Sequence, residues 1–151
     1  MDRTLTPLDP PQPAAPRATH RVLVIEDSDD IRDLTTMLLS SYGHKVSEAS
    51  DGTTGLQAAL DQRPDVALVD IGLPGIDGFE VARQARAVIG DDIVLIAMSG
   101  YGQVEDARKA REAGFDLHLV KPVDAGRLRK LLANERALLR AAVQAQAAPA
   151  S

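Results

Sequence analysis

Five polar side chains follow short apolar segments of this sequence, and their types suit phosphoryl chemistry. They are Glu26, Asp27, Asp70, Ser99 and Lys121. Three carboxylates within about 4 Å of one another would repel by roughly 4 kcal/mol per pair at an effective dielectric constant of about 20, so a cation must accompany them. Oxygen ligands in a chain without cysteine favour Mg²⁺. Because lysine adds a second positive charge and serine a hydroxyl donor, these residues predict a Mg²⁺-dependent phosphoryl site.

The elements that must position these side chains are short apolar runs that alternate with helical patterns. We expect five strands, at residues 21–25, 44–49, 65–69, 92–97 and 115–120. The first, third and fourth are nearly continuous apolar runs, which is typical of central parallel strands covered on both faces. Alternating strands and helices predict an α/β fold, with a doubly wound parallel sheet and five helices. Ligands of such sheets bind at the carboxyl ends of the strands, where the five polar residues lie.

Length and composition indicate one domain with two tails. A chain of 151 residues is long enough for about one domain. Residues 1–19 hold five of the nine prolines, so we expect a disordered leader there. Residues 20–136 form the predicted body, and residues 137–151 an alanine-rich helical extension and tail.

Charge and hydropathy exclude several classes of protein. The formal net charge of −5 argues against a surface built to hold nucleic acid. No apolar stretch approaches the roughly 18 residues that span a bilayer, and the N-terminus has no hydrophobic signal region. We therefore expect a cytoplasmic protein whose partners are neither nucleic acid nor membrane.

Four segments together resemble the receiver domain of two-component response regulators, over about residues 20–136. The matching segments are Glu26-Asp27, Asp70 to Gly78, Ser99-Gly100 and Lys121-Pro122, in that order along the chain. The resemblance implies a flavodoxin-like sheet with strand order 2-1-3-4-5. It also implies that Asp70 accepts a phosphoryl group from a phosphohistidine of a histidine kinase or histidine phosphotransfer protein.

The resemblance assigns roles to the other residues of the site. It implies that Glu26, Asp27, Asp70 and the backbone carbonyl of Gly72 hold Mg²⁺, and that Lys121 pairs with the phosphoryl group. Ser99 is the hydroxyl switch by the same resemblance, and Tyr101 flanks the phosphoryl site. A cis peptide bond is implied between Lys121 and Pro122. Phosphorylation would then change the face made by the fourth helix, fifth strand and fifth helix, where an unknown downstream protein binds.

His118 departs from the family pattern, because receivers usually carry tyrosine or phenylalanine three residues before the lysine. An imidazole is smaller, is polar and titrates near neutral pH. Two interpretations stay open: His118 replaces the aromatic switch residue, or it is an ordinary half-exposed strand residue. His20 and His44 begin the first two predicted strands, at the opposite edge, and are expected at the surface.

Three kinds of protein fit these residues. The first is a stand-alone, single-domain response regulator, and the second is the receiver portion of a hybrid histidine kinase. The third is a Mg²⁺-dependent phosphohydrolase with an aspartyl nucleophile, like the haloacid dehalogenases. Those enzymes normally carry a second aspartate two residues after the nucleophile, where this sequence has Gly72. The first two are signalling phosphoacceptors, which catalyse only their own phosphorylation and dephosphorylation.

The C-terminal segment predicts one long helix from about Asp124 through Val143. Such a helix would reach about 30 Å and overhang the body. Its overhanging Leu138, Leu139 and Val143 would then be free to form a homodimer, and two alternatives stay open: that they lead to a further domain, or that the end of the helix frays.

Overall fold

The five predicted strands form one parallel sheet. The computed structural model describes residues 18–100 and 104–147. Its strands are β1 (Arg21–Ile25), β2 (Lys45–Ala49), β3 (Val66–Asp70), β4 (Val94–Ser99) and β5 (Leu117–Val120). They pair in the order β2-β1-β3-β4-β5, and every neighbouring pair is parallel. The predicted α/β class, strand order and central position of the apolar strands are confirmed.

Helices cover both faces of the sheet. They are α1 (Asp29–Ser41), α2 (Gly52–Gln62), α3 (Gly78–Ile89), α4 (Val104–Ala113), α5 (Ala125–Leu132) and α6 (Arg136–Ala147). Helices α2, α3 and α4 pack on one face, and α1, α5 and α6 pack on the other. None of the helices in the described ranges is long and apolar enough to cross a membrane.

Polar side chains cap the first turns of four helices. The side chains of Ser28, Asp51, Asp77 and Asp124 accept hydrogen bonds from backbone N–H groups in the first turns of α1, α2, α3 and α5. A side-chain oxygen at this position satisfies one of the N–H groups that the helix leaves unpaired. The caps therefore fix where each of these helices begins after its strand.

The C-terminal segment differs from its prediction, because it forms two helices. Helix α5 ends at Leu132, and α6 folds back onto the sheet and buries Leu139 and Val143. The side-chain amide of Asn134 donates to the carbonyl oxygen of Leu131 at 2.8 Å and so satisfies one group at the end of α5. The chain therefore has a sixth helix, and the prediction of one overhanging helix is wrong. Of the three side chains expected to form a homodimer, only Leu138 is exposed.

His20 and His44 are also placed differently from their prediction, because both side chains are buried. Their rings stack with centroids 5.6 Å apart, and the backbone N–H of His20 donates to His44 Nδ1 at 3.0 Å. His20 Nε2 lies 2.8 Å from the carbonyl oxygen of Asn134. These bonds compensate for the loss of water around two polar rings, and they connect the start of β1 to the turn between α5 and α6.

Candidate functional site

Three carboxylates meet at the carboxyl edge of the sheet. Glu26 directly follows β1, Asp27 comes next, and Asp70 is the last residue of β3. One carboxylate oxygen from each lies within 4.8 Å of the other two. Glu26 and Asp70 are buried while Asp27 is exposed, so the cluster opens to solvent on the side of Asp27.

Lys121 is the cation of this cluster. Its Nζ lies 2.8 Å from Glu26 Oε1 and 3.3 Å from Asp70 Oδ2. The backbone N–H of Lys121 donates to the carbonyl oxygen of Ser99 at 2.7 Å, which joins the ends of β4 and β5. The peptide bond between Lys121 and Pro122 is cis, as predicted. The lysine side chain therefore crosses from the end of β5 to the acids that follow β1 and β3.

Burial and hydrogen bonding together shift the pKa values of Glu26 and Lys121. Burial raises the pKa of Glu26 above its usual value, although the hydrogen bonds from Lys121 and from the backbone N–H of Ser28 oppose this. Burial also lowers the pKa of Lys121, but hydrogen bonding to Glu26 and the charge of Asp70 outweigh it and leave that pKa raised. Lys121 is therefore a cation at neutral pH. With all three acids ionised, the cluster carries an excess of two negative charges.

The turn after β3 orients the Asp70 carboxylate. The backbone N–H of Gly72 donates to Asp70 Oδ1 at 3.0 Å. A β-carbon on Gly78 would lie only 2.5 Å from the carbonyl oxygen of Asp70, so only glycine lets α3 begin this close to the end of β3. Sequence reasoning gave Gly78 no role, because nothing in the sequence shows how closely two backbones approach.

Two further residues hold Glu26. The backbone N–H of Ser28 donates to Glu26 Oε2 at 3.1 Å, and Arg32 Nη1 donates to the carbonyl oxygen of Glu26 at 2.9 Å. Neither contact follows from residue types, because both depend on how α1 leaves the sheet. Ser28 and Lys121 thus hold the buried carboxylate from both oxygens, while Arg32 holds the backbone of the same residue.

The donor set fits Mg²⁺. All of its side-chain ligands are carboxylate oxygens, one of them is open to solvent, and the excess charge matches a divalent ion. Gly72 lies in the same turn as Asp70.

Ser99 and His118 form a hydrogen-bonded pair beside the acids. Ser99 is buried at the end of β4, and its Oγ lies 2.7 Å from Nε2 of His118 in β5. Burial lowers the pKa of His118, and the charge of Asp106 opposes this shift. Tyr101, which is predicted to flank the phosphoryl site, lies outside the described residues.

Comparisons with known proteins agree with this geometry. The family model of the response regulator receiver domain matches residues 22–133. Among curated relatives, the transcriptional regulatory protein AfsQ1 of Streptomyces coelicolor is 40% identical over 119 residues, which are 79% of this chain and 51% of AfsQ1. The DNA-binding dual master transcriptional regulator RpaA of Synechocystis is 36% identical over 121 residues, covering 80% and 49% of the two chains. The chain thus spans about half the length of these relatives.

Solved structures show the same fold. The chemotaxis protein CheY4 of Vibrio cholerae has a TM-score of 0.71 and 28% identity, over 76% of this chain and 97% of the other. A receiver domain protein of Methanospirillum hungatei, described as CheY-like, has a TM-score of 0.69 and 28% identity, over 75% and 90% of the two chains. On the match to residues 22–133 and this common fold, the chain belongs to the response regulator receiver domain family.

Proposed function

We propose that Asp70 accepts a phosphoryl group from a phosphohistidine of a histidine kinase or histidine phosphotransfer protein. The observation that carries this proposal is the position of Asp70, whose carboxylate lies 3.3 Å from the Lys121 ammonium and beside two further acids. In the transfer, a carboxylate oxygen of Asp70 forms a bond to phosphorus. The bond between phosphorus and the donor's imidazole nitrogen breaks, and its electron pair stays on that nitrogen. An ionised carboxylate has no proton to lose, so no general base is needed on this chain.

The surrounding residues bind and orient the phosphoryl group. Lys121 neutralises charge on one of its oxygens, and Ser99 donates its hydroxyl to another. Glu26, Asp27, Asp70 and the backbone carbonyl of Gly72 would hold Mg²⁺ next to it. When bound, that ion would offset the negative charge of the phosphoryl oxygens.

The phosphodonor protein needs a surface beside Asp70 on which to dock. Apolar side chains of α1 and of the loop after β5 form an open groove there, lined by Ile31, Leu34, Leu38, Pro122 and Val123. Leu34 is an apolar side chain of α1, yet it is 66% exposed. A partner helix laid in this groove would cover it and would bring a histidine close to the Lys121 side of the site.

For the output we propose that phosphorylation alters the face of α4, β5 and α5, which then binds a downstream protein. The names of the relatives state transcriptional regulation for AfsQ1 and DNA binding for RpaA, and these activities belong to those proteins. We propose no contact with nucleic acid or membrane for the receiver itself, and a cytoplasmic location. The stand-alone form and the receiver of a hybrid kinase remain the two proposals for its context.

Labelling with a small phosphodonor tests the assignment of Asp70. The protein is incubated with Mg²⁺ and acetyl phosphate, and intact mass should show one added phosphoryl group in the native sequence and in Asp61→Asn. Asp61 is an exposed carboxylate of α2, so this variant is the matched control. Asp70→Asn should show none. Equal labelling of Asp70→Asn, or none of the native protein, would remove Asp70 from its role, and steady hydrolysis of small phosphate esters would favour a phosphohydrolase instead.

A further inference from the structure

The contact between Ser99 and His118 joins the phosphoryl site to β5. In the register of β4 and β5, His118 is paired with Ala97, so it lies diagonally across from Ser99 on the same face of the sheet. The distance of 2.7 Å between Ser99 Oγ and His118 Nε2 is that of a good hydrogen bond. Ser99 is 4% exposed, and water therefore has little access to this bond.

The direction of this hydrogen bond depends on what else Ser99 does. A serine hydroxyl has one proton and two lone pairs, and each imidazole nitrogen is a donor only when it is protonated. Ser99 can donate to an unprotonated Nε2, or it can accept from Nε2–H. If Ser99 gives its proton to a phosphoryl oxygen, only the second arrangement keeps the bond to His118.

We propose that His118 is a positioning residue of the switch: when Asp70 is phosphorylated, Ser99 donates to a phosphoryl oxygen and accepts from His118 Nε2–H. This arrangement is open to the protonated ring but to only one of the two tautomers of the neutral ring, so phosphorylation of Asp70 and protonation of His118 favour each other. This inference rests on the proposed phosphorylation of Asp70. It deepens that proposal, because it makes the response depend on pH through one residue. The effect is the same in both directions because the two equilibria are linked. If the phosphoryl group makes protonation of His118 more favourable, then protonation of His118 makes phosphorylation more favourable by the same factor.

The surroundings of His118 allow such a proton to be gained. Charged groups in the described parts of the elements around it are Asp106 and Arg111 of α4, Arg127 of α5, and Asp116 just before β5. Asp116 forms ion pairs with other residues, because Arg86 of α3 and Arg140 of α6 each contact one of its carboxylate oxygens. The residues of β4 and α6 that border the ring are uncharged. Burial keeps the pKa of His118 below its usual value, so the ring is neutral near pH 7 and can take up a proton when Ser99 turns its hydroxyl proton to the phosphoryl group.

Three variants separate this relay from simple packing. His118→Gln keeps an N–H donor of similar reach but cannot titrate, while His118→Phe restores the ring that receiver domains usually carry and removes the donor. Ser99→Ala removes the link and leaves His118 in place. None of the His118 changes touches the acids, because His118 makes no contact with them among the described residues.

The experiment is an NMR titration of the three histidine rings of the full chain, without and with Mg²⁺ and beryllium trifluoride, an analogue of the phosphoryl group. Fluorine NMR shows whether the analogue binds. We expect proton binding by His118 to become about threefold tighter or more in the loaded protein. His44, at the opposite edge, should titrate unchanged, and in Ser99→Ala the effect on His118 should be lost.

The reciprocal measurement uses the affinity for the analogue. Between about pH 7.5 and about pH 5.5 the affinity of the native protein should rise relative to that of His118→Gln and of His118→Phe. An unchanged His118 titration, or a shift that persists in Ser99→Ala, would overturn the relay while leaving phosphorylation of Asp70 intact. If the analogue does not bind and acetyl phosphate adds no group, the proposed function fails and the relay fails with it.

Discussion

Replacing Asp27 by asparagine should make this protein more stable in the absence of Mg²⁺, and most or all of that advantage should be lost when Mg²⁺ is present. The three carboxylates lie within 4.8 Å of one another, and Asp27 is the exposed member. At that separation and in the dielectric of water, each carboxylate repels it by about 1 kcal/mol, and the Lys121 cation offsets roughly one of these two terms. Without metal, Asp27→Asn should therefore be more stable than the native protein by about 1 kcal/mol.

With Mg²⁺ the difference in stability between Asp27→Asn and the native protein should largely disappear or change sign. An ion that binds only the folded chain stabilises it by about 1.4 kcal/mol at ten times its dissociation constant. The variant lacks one charged ligand, so it should gain less than half as much at the same concentration. The native protein then recovers the stability that repulsion costs it in the absence of metal.

Urea unfolding in EDTA and in excess MgCl₂ measures both effects, with the slope against urea expected to stay constant. Asp30→Asn is the matched control, because Asp30 is also an exposed acid near the start of α1 but lies outside the cluster. It should be no more stable than the native protein in EDTA and should gain as much from Mg²⁺ as the native protein does. If Asp27→Asn shows no advantage in EDTA, or the full Mg²⁺ gain, the three acids do not act as one site.

Three further predictions concern other parts of the molecule. Leu139→Ala should lower the free energy of unfolding by about 2–4 kcal/mol and Leu138→Ala by less than about 0.5 kcal/mol, because only Leu139 is buried. If urea unfolding shows that both variants lose the same free energy, α6 does not pack on the sheet. Burial, together with a neighbouring imidazole, lowers the pKa of His44 below 6.5, so stability should be constant above that pH and fall as pH drops below it through the folded-state pKa. In His44→Asn, which keeps an acceptor for the same backbone N–H, the fall should be shallower; an identical pH profile would contradict this. Leu34→Glu should slow phosphoryl transfer from a phosphohistidine protein about tenfold while leaving labelling by acetyl phosphate unchanged. Val88→Glu, on the exposed surface of α3, should affect neither reaction. A loss of both reactions in Leu34→Glu would place the defect in the site itself.

The sheet and the position of the acids could be predicted because both follow from local patterns. Near-continuous apolar runs are typical of strands buried on both faces, and a polar residue after such a run must lie at the carboxyl edge. Glu26, Asp70 and Lys121 are 44 and 51 residues apart along the chain, yet each is placed by its own strand. Some predicted strand boundaries differ from the observed ones by two residues. These differences do not change the predicted place of the site, because a residue near the end of a strand stays at the same edge of the sheet.

The end of the chain could not be predicted in the same way. The residues between α5 and α6 include neither glycine nor proline, and the apolar spacing continues across them. The break comes from tertiary structure: burying Leu139 and Val143 on the sheet requires the chain to turn back, and Asn134 satisfies a carbonyl at the turn. Helix propensity is a weak preference, and burial of two apolar side chains outweighs it.

Buried polar contacts are the other part that sequence cannot show. His20, His44 and Asn134 look like surface residues until the fold brings together groups that are 24 and 114 residues apart. Ser99 and His118 are a similar case, because their contact depends on the register between β4 and β5. The residue types alone left two interpretations of His118 open. The hydrogen bond to Ser99 supplies the contact that the first interpretation needs, and the titration of His118 without and with the phosphoryl analogue decides between the two.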